Sequence, residues 1–155
     1  MAQYWLMKSE PNAYSIDDLK REKSTHWDGV RNYQARNIMR DKMKKGDRVL
    51  FYHSNAKPPG VAGTAVVVGK AYPDHTARVP DSKYYDPRAT EENPRWFMVD
   101  IQFEEKFPHL VPLPAIRETR TLQNMVLVNR SRLSVQPVTE AEFEKIVAMG
   151  HEKEG

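Results

Sequence analysis

The 155-residue chain contains no cysteine. That absence excludes disulfides, thiolate-bound metals and cysteine nucleophiles together. It fits a cytosolic or nuclear setting. No run of about 18 apolar residues occurs, so no membrane-spanning helix and no membrane partner are expected. The opening "MAQYWLMKSEP" lacks a basic leader followed by an apolar stretch and a small-residue cleavage site, so no secretory signal is expected. The five histidines (His26, His53, His75, His109, His151) never pair as HxH, HxE or HExxH. A metal site would need distant residues, and neither metal nor cofactor is expected. No GxGxxG, P-loop or GxSxG pattern appears. His53 and Ser54 are neighbours on an expected strand and point to opposite faces, so they cannot form a nucleophile–base pair with each other.

The chain is 39% hydrophobic, enough for one domain with a real core. Residues 1–150 read as that domain, and the tail "GHEKEG" is expected to fray, with 151–155 beyond the domain. The net charge of +3 is unevenly spread. Between Arg31 and Arg48, seven basic residues face two acids, so this segment carries +5 and the remainder −2. A local patch of this kind either attracts a polyanion through counterion release or is simply a solvated helix face.

Alternation in "QYWLMKSEP" predicts a strand with Trp5 and Met7 on one face and Leu6 and Lys8 on the other. A helix follows, with Ser15 as N-cap and Asp18 completing a capping box. A second helix fits Tyr33 to Met43, capped by Asn32 and stopped at Lys44-Lys45-Gly46. "DRVLFYHS" and "VAGTAVVVGKAY" read as an antiparallel hairpin, and "RWFMVDIQFEEKF" as a further strand. "PLPAIRETRTLQNMVLV" reads as short helices, "NRSRLSVQPV" as extended chain. A last helix starts at Thr139, boxed by Glu142, and buries Phe143, Ile146 and Val147. Pro73 to Pro94 is a long loop with "KYYDPR" inside it; such loops are mostly functional or mobile. The sum is an α+β domain whose sheet is curved, mostly antiparallel and barrel-like, with about five or six strands.

Trp27 opens two readings. It is a core ring packing a capped helix, or it is the face of a pocket. Gly29 permits close backbone approach, the helix amides beyond Asn32 favour an anion or carbonyl, and Arg31 can stack or fork onto phosphate.

The stretches "YWLMKSEPNAYSIDDL", "WDGVRNYQARNIMRDKMKKGDRVLFYHS", "GVAGTAVVVGKAYPD", "RWFMVDIQF" and "NRSRLSVQPVTEAEFEKI" resemble the EVE domain family, in order and over nearly the whole chain. The resemblance implies a PUA-like fold and kinship with the YTH domains, which hold a methylated base in an aromatic cage. It implies a non-enzymatic reader of a modified base, chiefly modified cytosine in DNA and otherwise RNA, flipped into an aromatic pocket. Carried over by position, it assigns Lys8 and Ser9 of "KSEP", Trp27 with Val30, Arg31 and Asn32 of "WDGVRN", His53 and Ser54 of "FYHS", and Ser134 and Gln136 of "RLSVQP" to that pocket. The loop from Thr76 to Asn93 varies within the family and assigns nothing. Arg36, Arg40, Lys44 and Lys45 are the phosphate candidates of the basic segment, and a monomer is expected.

Two other classes stay open on the residues. One is an enzyme acting on a nucleotide or modified base in the same pocket, with His53 as base and Asp28 or His26 as helper. The other is a protein-binding scaffold that presents "SKYYDPR", since tyrosines are enriched at interfaces.

Overall fold

The computed structural model describes residues 3–129 and 133–151. Seven strands form one open, mixed sheet: β1 (Tyr4–Ser9), β2 (Ser24–Trp27), β3 (Arg48–His53), β4 (Gly60–Val67), β5 (Tyr72–Pro73), β6 (Phe97–Pro112) and β7 (Val135–Val138). Their order is β2, β6, β4, β3, β1, β7, with β5 paired to β6. Only the β1–β3 pairing is parallel among those described. Register shifts in the β3–β4 and β4–β6 ladders bend the sheet, as bulges do. The hairpin, the α+β class and the predominance of antiparallel pairing match the sequence reading.

Side-chain alternation divides the core between the two faces of the sheet. Trp5, Met7, Val49 and Phe51 pack on one face with helices α1 (Ile16–Glu22) and α2 (Tyr33–Asp41). Leu6, Leu50 and Tyr52 pack on the other with helices α3 (Leu113–Glu118), α4 (Val126–Asn129) and α5 (Glu140–His151). The caps are those read from sequence. Ser15 and Asp18 form a reciprocal box on α1, Asn32 Oδ1 accepts from the Ala35 amide, and Thr139 exchanges bonds with Glu142.

The fraying expected of the tail is corrected at its start. Gly150 and His151 belong to α5. A side chain at Gly150 would begin 2.5 Å from the Phe107 ring, and His151 Nε2 lies 2.8 Å from Glu105 Oε1. Residues 130–132 of the expected extended stretch, and residues 152–155, lie outside the described residues. Strand β2 was not legible: "STHW" offers no apolar alternation, and its place is set by pairing with Gln102 to Val99 of β6.

Asp47 fixes the start of β1. Buried at 2% exposure, it accepts from the Trp5 indole, the Gln3 amide and the Lys44 amide. Lys44 and Lys45 therefore lie at the Tyr4 end of β1. The candidate site lies at its Ser9 end, roughly 17 Å away for five residues of strand.

Candidate nucleic-acid interface

A cleft of about 910 Å³ opens where several element ends meet. Lys8 and Ser9 close β1, and Ser54 follows β3 and donates its amide to the Ser9 carbonyl at 2.9 Å. Ser134 precedes β7 and accepts from the Lys8 amide at 2.9 Å. Trp27 ends β2, and Gly29 to Arg31 lead into α2 along the same wall. The structure thus brings Lys8, Ser9, Trp27, Val30, Arg31, Ser54 and Ser134 to one cleft.

Trp27 answers to both sequence readings. It is 8% exposed, sits in the core with its ring 5.4 Å from Phe51 at 85°, and lines the cleft. Ser9 Oγ donates to the Tyr14 carbonyl at 2.7 Å, which leaves its oxygen able to accept. Burial lowers the Lys8 ammonium below its usual range. The cleft's charges are mixed, with Glu10, Glu22 and Asp28 beside Lys8, Arg31 and Lys83.

Three assigned residues are not on its wall. Asn32 is exposed and spends its carbonyl oxygen on the α2 cap. His53 Nε2 accepts from the Ile16 amide at 3.1 Å, so it serves the first turn of α1, and burial lowers its pKa. Gln136 is fully buried on the opposite face. Its β7 register pairs it with Leu6, and its Nε2 donates to the Leu133 carbonyl at 2.8 Å. The helper set around His53 does not assemble either: His26 faces Asp28 at 3.6 Å and His75 at 5.8 Å. Among the described residues no cluster of three or more His, Asp or Glu could hold a metal ion.

Arg31 is corrected in role. Its guanidinium donates to the Tyr84 carbonyl at 3.1 and 2.7 Å, to Asp74 at 3.1 Å, to Thr76 Oγ1 at 3.3 Å and to the Val30 carbonyl at 3.0 Å. It is a clamp on the 73–94 loop, not a free phosphate fork. The other half of the clamp is Asp74, whose side chain is fully buried. Asp74 also accepts from the amides of Gly29 (2.8 Å) and Thr76 (2.9 Å) and from Thr76 Oγ1 (2.5 Å). Burial pushes its pKa up, but the bonds from Thr76, Gly29 and Arg31 outweigh that and hold it below the usual carboxylate value.

The clamp delivers Tyr84 to the cleft. Gly29 has φ +77°, a left-handed conformation, and a side chain there would begin 2.5 Å from the Tyr84 ring. The loop that assigned nothing in sequence therefore supplies a second aromatic wall. Asp74 carried one local signal, the Asp-His-Thr spacing of a cap on the 3-10 turn His75–Arg78. Tyr84 carried only its composition. Tyr14 was also missed. It lines the cleft, and its hydroxyl is pushed up to about 12, first by burial, with Glu22 and Thr25 beside it.

The EVE domain family model matches residues 3–149. Thymocyte nuclear protein 1 of Homo sapiens is 44% identical, over 99% of this chain and 76% of that protein. A hypothetical protein from Leishmania major has a solved structure with a TM-score of 0.93 at 51% identity, matching 97% of this chain and 95% of its own. The human THYN1 protein, solved in complex with 5-methylcytosine-containing DNA, has a TM-score of 0.91 at 42% identity, matching 99% of this chain and 100% of its own. No helix among the described residues is long and apolar enough to cross a membrane. By sequence over 3–149 and by fold, this chain belongs to the EVE domain family.

Proposed function

We propose that this protein is a non-catalytic reader of DNA carrying a modified cytosine, which it receives in the cleft after the base has turned out of the duplex. The observation that carries the reading is the cleft itself. It has Trp27 and Tyr84 on its walls, with Ser9, Ser54, Ser134 and Lys8 around them. Its volume of about 910 Å³ falls in the range of small-ligand sites, about 300–1,000 Å³. The relative solved with 5-methylcytosine-containing DNA supports cytosine as the base and DNA as the polymer.

The energetics are consistent. Turning a base out costs a few kcal/mol. Stacking on an aromatic returns about 1–3 kcal/mol per base. Hydrogen bonds from the serines fix the base edge, and a slot for one methyl contributes about 1–3 kcal/mol of discrimination. A non-catalytic role is supported by His53, whose Nε2 is committed to the Ile16 amide and so is not available as a base.

The test is a fluorescence-polarisation titration at moderate salt, with duplexes differing at one position, 5-methylcytosine against cytosine. The modified duplex should bind about 10–200-fold more tightly. Equal affinities would remove the reading.

A further inference from the structure

The cleft carries both signs of charge, so it is poorly suited to hold a phosphate backbone. A second surface is better built for that task. Tyr33, at the start of α2, is 45% exposed and stacks on Trp96 at 4.8 Å and 24°. Arg36 lies 4.8 Å over the Tyr33 ring, and Arg95 lies 5.7 Å over it and bonds its hydroxyl. One helical turn further on, Arg40 lies 5.8 Å over Phe97. Arg88 stands beside them with its side chain 66% exposed.

We propose that this ring-backed arginine surface grips the duplex backbone beside the turned-out base. The proposal rests on the base-reading role of the cleft and says where the rest of the duplex lies. Guanidinium planes laid on rings are held by their faces, which leaves N–H edges free for phosphate at a reduced entropic cost. Arg36 has five N–H donors and uses three, two on Asn37 and one on the Arg95 carbonyl, so two remain. The surface holds more positive than negative charge: Arg36, Arg40, Arg88 and Arg95 against Asp41 and Asp86. Asp86 is turned inward, with Oδ2 accepting from the Trp96 indole at 2.7 Å.

The surface is continuous with the cleft. Tyr84 lines the cleft, the Arg31 guanidinium lies 5.5 Å over its ring and 5.3 Å over Trp96, and Trp96 carries Tyr33. These contacts set Tyr33 within roughly 16 Å of Tyr84, the rise of about five base pairs. A duplex that delivers a base to the cleft can therefore reach this surface with its neighbouring phosphates. Lys44 and Lys45, at the far end of β1, are not part of it.

The experiment is the salt dependence of binding between about 50 and 200 mM, on one duplex with a single 5-methylcytosine and its unmodified twin. Arg36→Gln/Arg95→Gln should reduce the slope of log K against log salt by about 1.8, at 0.9 per lost phosphate contact. Over that fourfold salt range the wild type then loses about twelvefold more affinity than the variant. Arg40→Gln/Arg88→Gln changes exposed side chains, should do the same, and decides the matter if the first pair does not fold. Lys44→Gln/Lys45→Gln should leave the slope unchanged. The ratio of affinities for modified and plain duplex should be the same in all variants that fold. Unchanged slopes in the arginine variants, or a loss confined to the lysine variant, overturn the proposal. A ratio of one throughout overturns the base-reading role instead, while the slopes still judge the backbone surface.

Discussion

Replacing Asp74 with alanine removes one half of the clamp that, with Arg31, ties the 73–94 loop to the entrance of α2. Four hydrogen bonds end on its carboxylate, from the Gly29 amide, Arg31, and the amide and hydroxyl of Thr76. Losing one partner of a buried ion pair costs about 3–5 kcal/mol. Arg31 keeps the Tyr84 and Val30 carbonyls, which lowers that figure, while two backbone amides lose their acceptor at about 1–3 kcal/mol each. We expect a net destabilisation of about 3 kcal/mol, or a melting temperature about 6–12 °C lower for a domain of this size. Circular dichroism melts would measure it. The same variant should bind modified and plain duplex alike, because Tyr84 loses its seat. The sign with pH is also fixed. A carboxyl held below its ordinary pKa stabilises the fold above pH about 4, and this contribution fades as pH falls further. The gap between wild type and Asp74→Ala should therefore narrow below about pH 4. A variant that melts within 2 °C or so of wild type at neutral pH and still discriminates would refute the clamp.

Gly29→Ala should displace Tyr84, since the new methyl meets its ring and the backbone is left-handed; a loss of about 1–2 kcal/mol and of discrimination is expected in melts and titrations. His53→Ala removes the acceptor for the Ile16 amide and should cost about 1 kcal/mol while leaving the modified-to-plain ratio unchanged; a lost ratio would return His53 to the cleft. Asp86 is held at about 2, chiefly by the Trp96 indole and the Arg88 amide, so its contribution is present above about pH 4 and is lost between there and pH 2. Asp86→Asn should lack that segment of the pH–stability curve, and identical curves would contradict this.

What could be read from the sequence was local. Alternation in β1 and β3 separated Trp5, Met7, Val49 and Phe51 from Leu6, Leu50 and Tyr52 because a strand has a period of two. The caps at Ser15, Asn32 and Thr139 were visible because their partners lie three residues away. Of the residues that the resemblance assigned to the pocket, Lys8, Ser9, Trp27, Val30, Arg31, Ser54 and Ser134 line the cleft. What escaped depends on long-range pairing. Gly29 meets Asp74 across 45 positions, and Arg31 meets Tyr84 across 53. Gln136 looked like a wall residue until the β7 register set it beside Leu6. The basic run looked like one patch, yet Asp47 anchors its lysines at the opposite end of β1 from the cleft.

The decisive measurement is the affinity for a duplex in which 5-methylcytosine faces an abasic site instead of guanine. If the base must leave its pair to enter the cleft, removing the pair lowers a cost of a few kcal/mol, and binding should tighten about tenfold or more. Affinity that is unchanged or weaker would mean that the base is read in place, and that the cleft between Trp27 and Tyr84 is not where it goes.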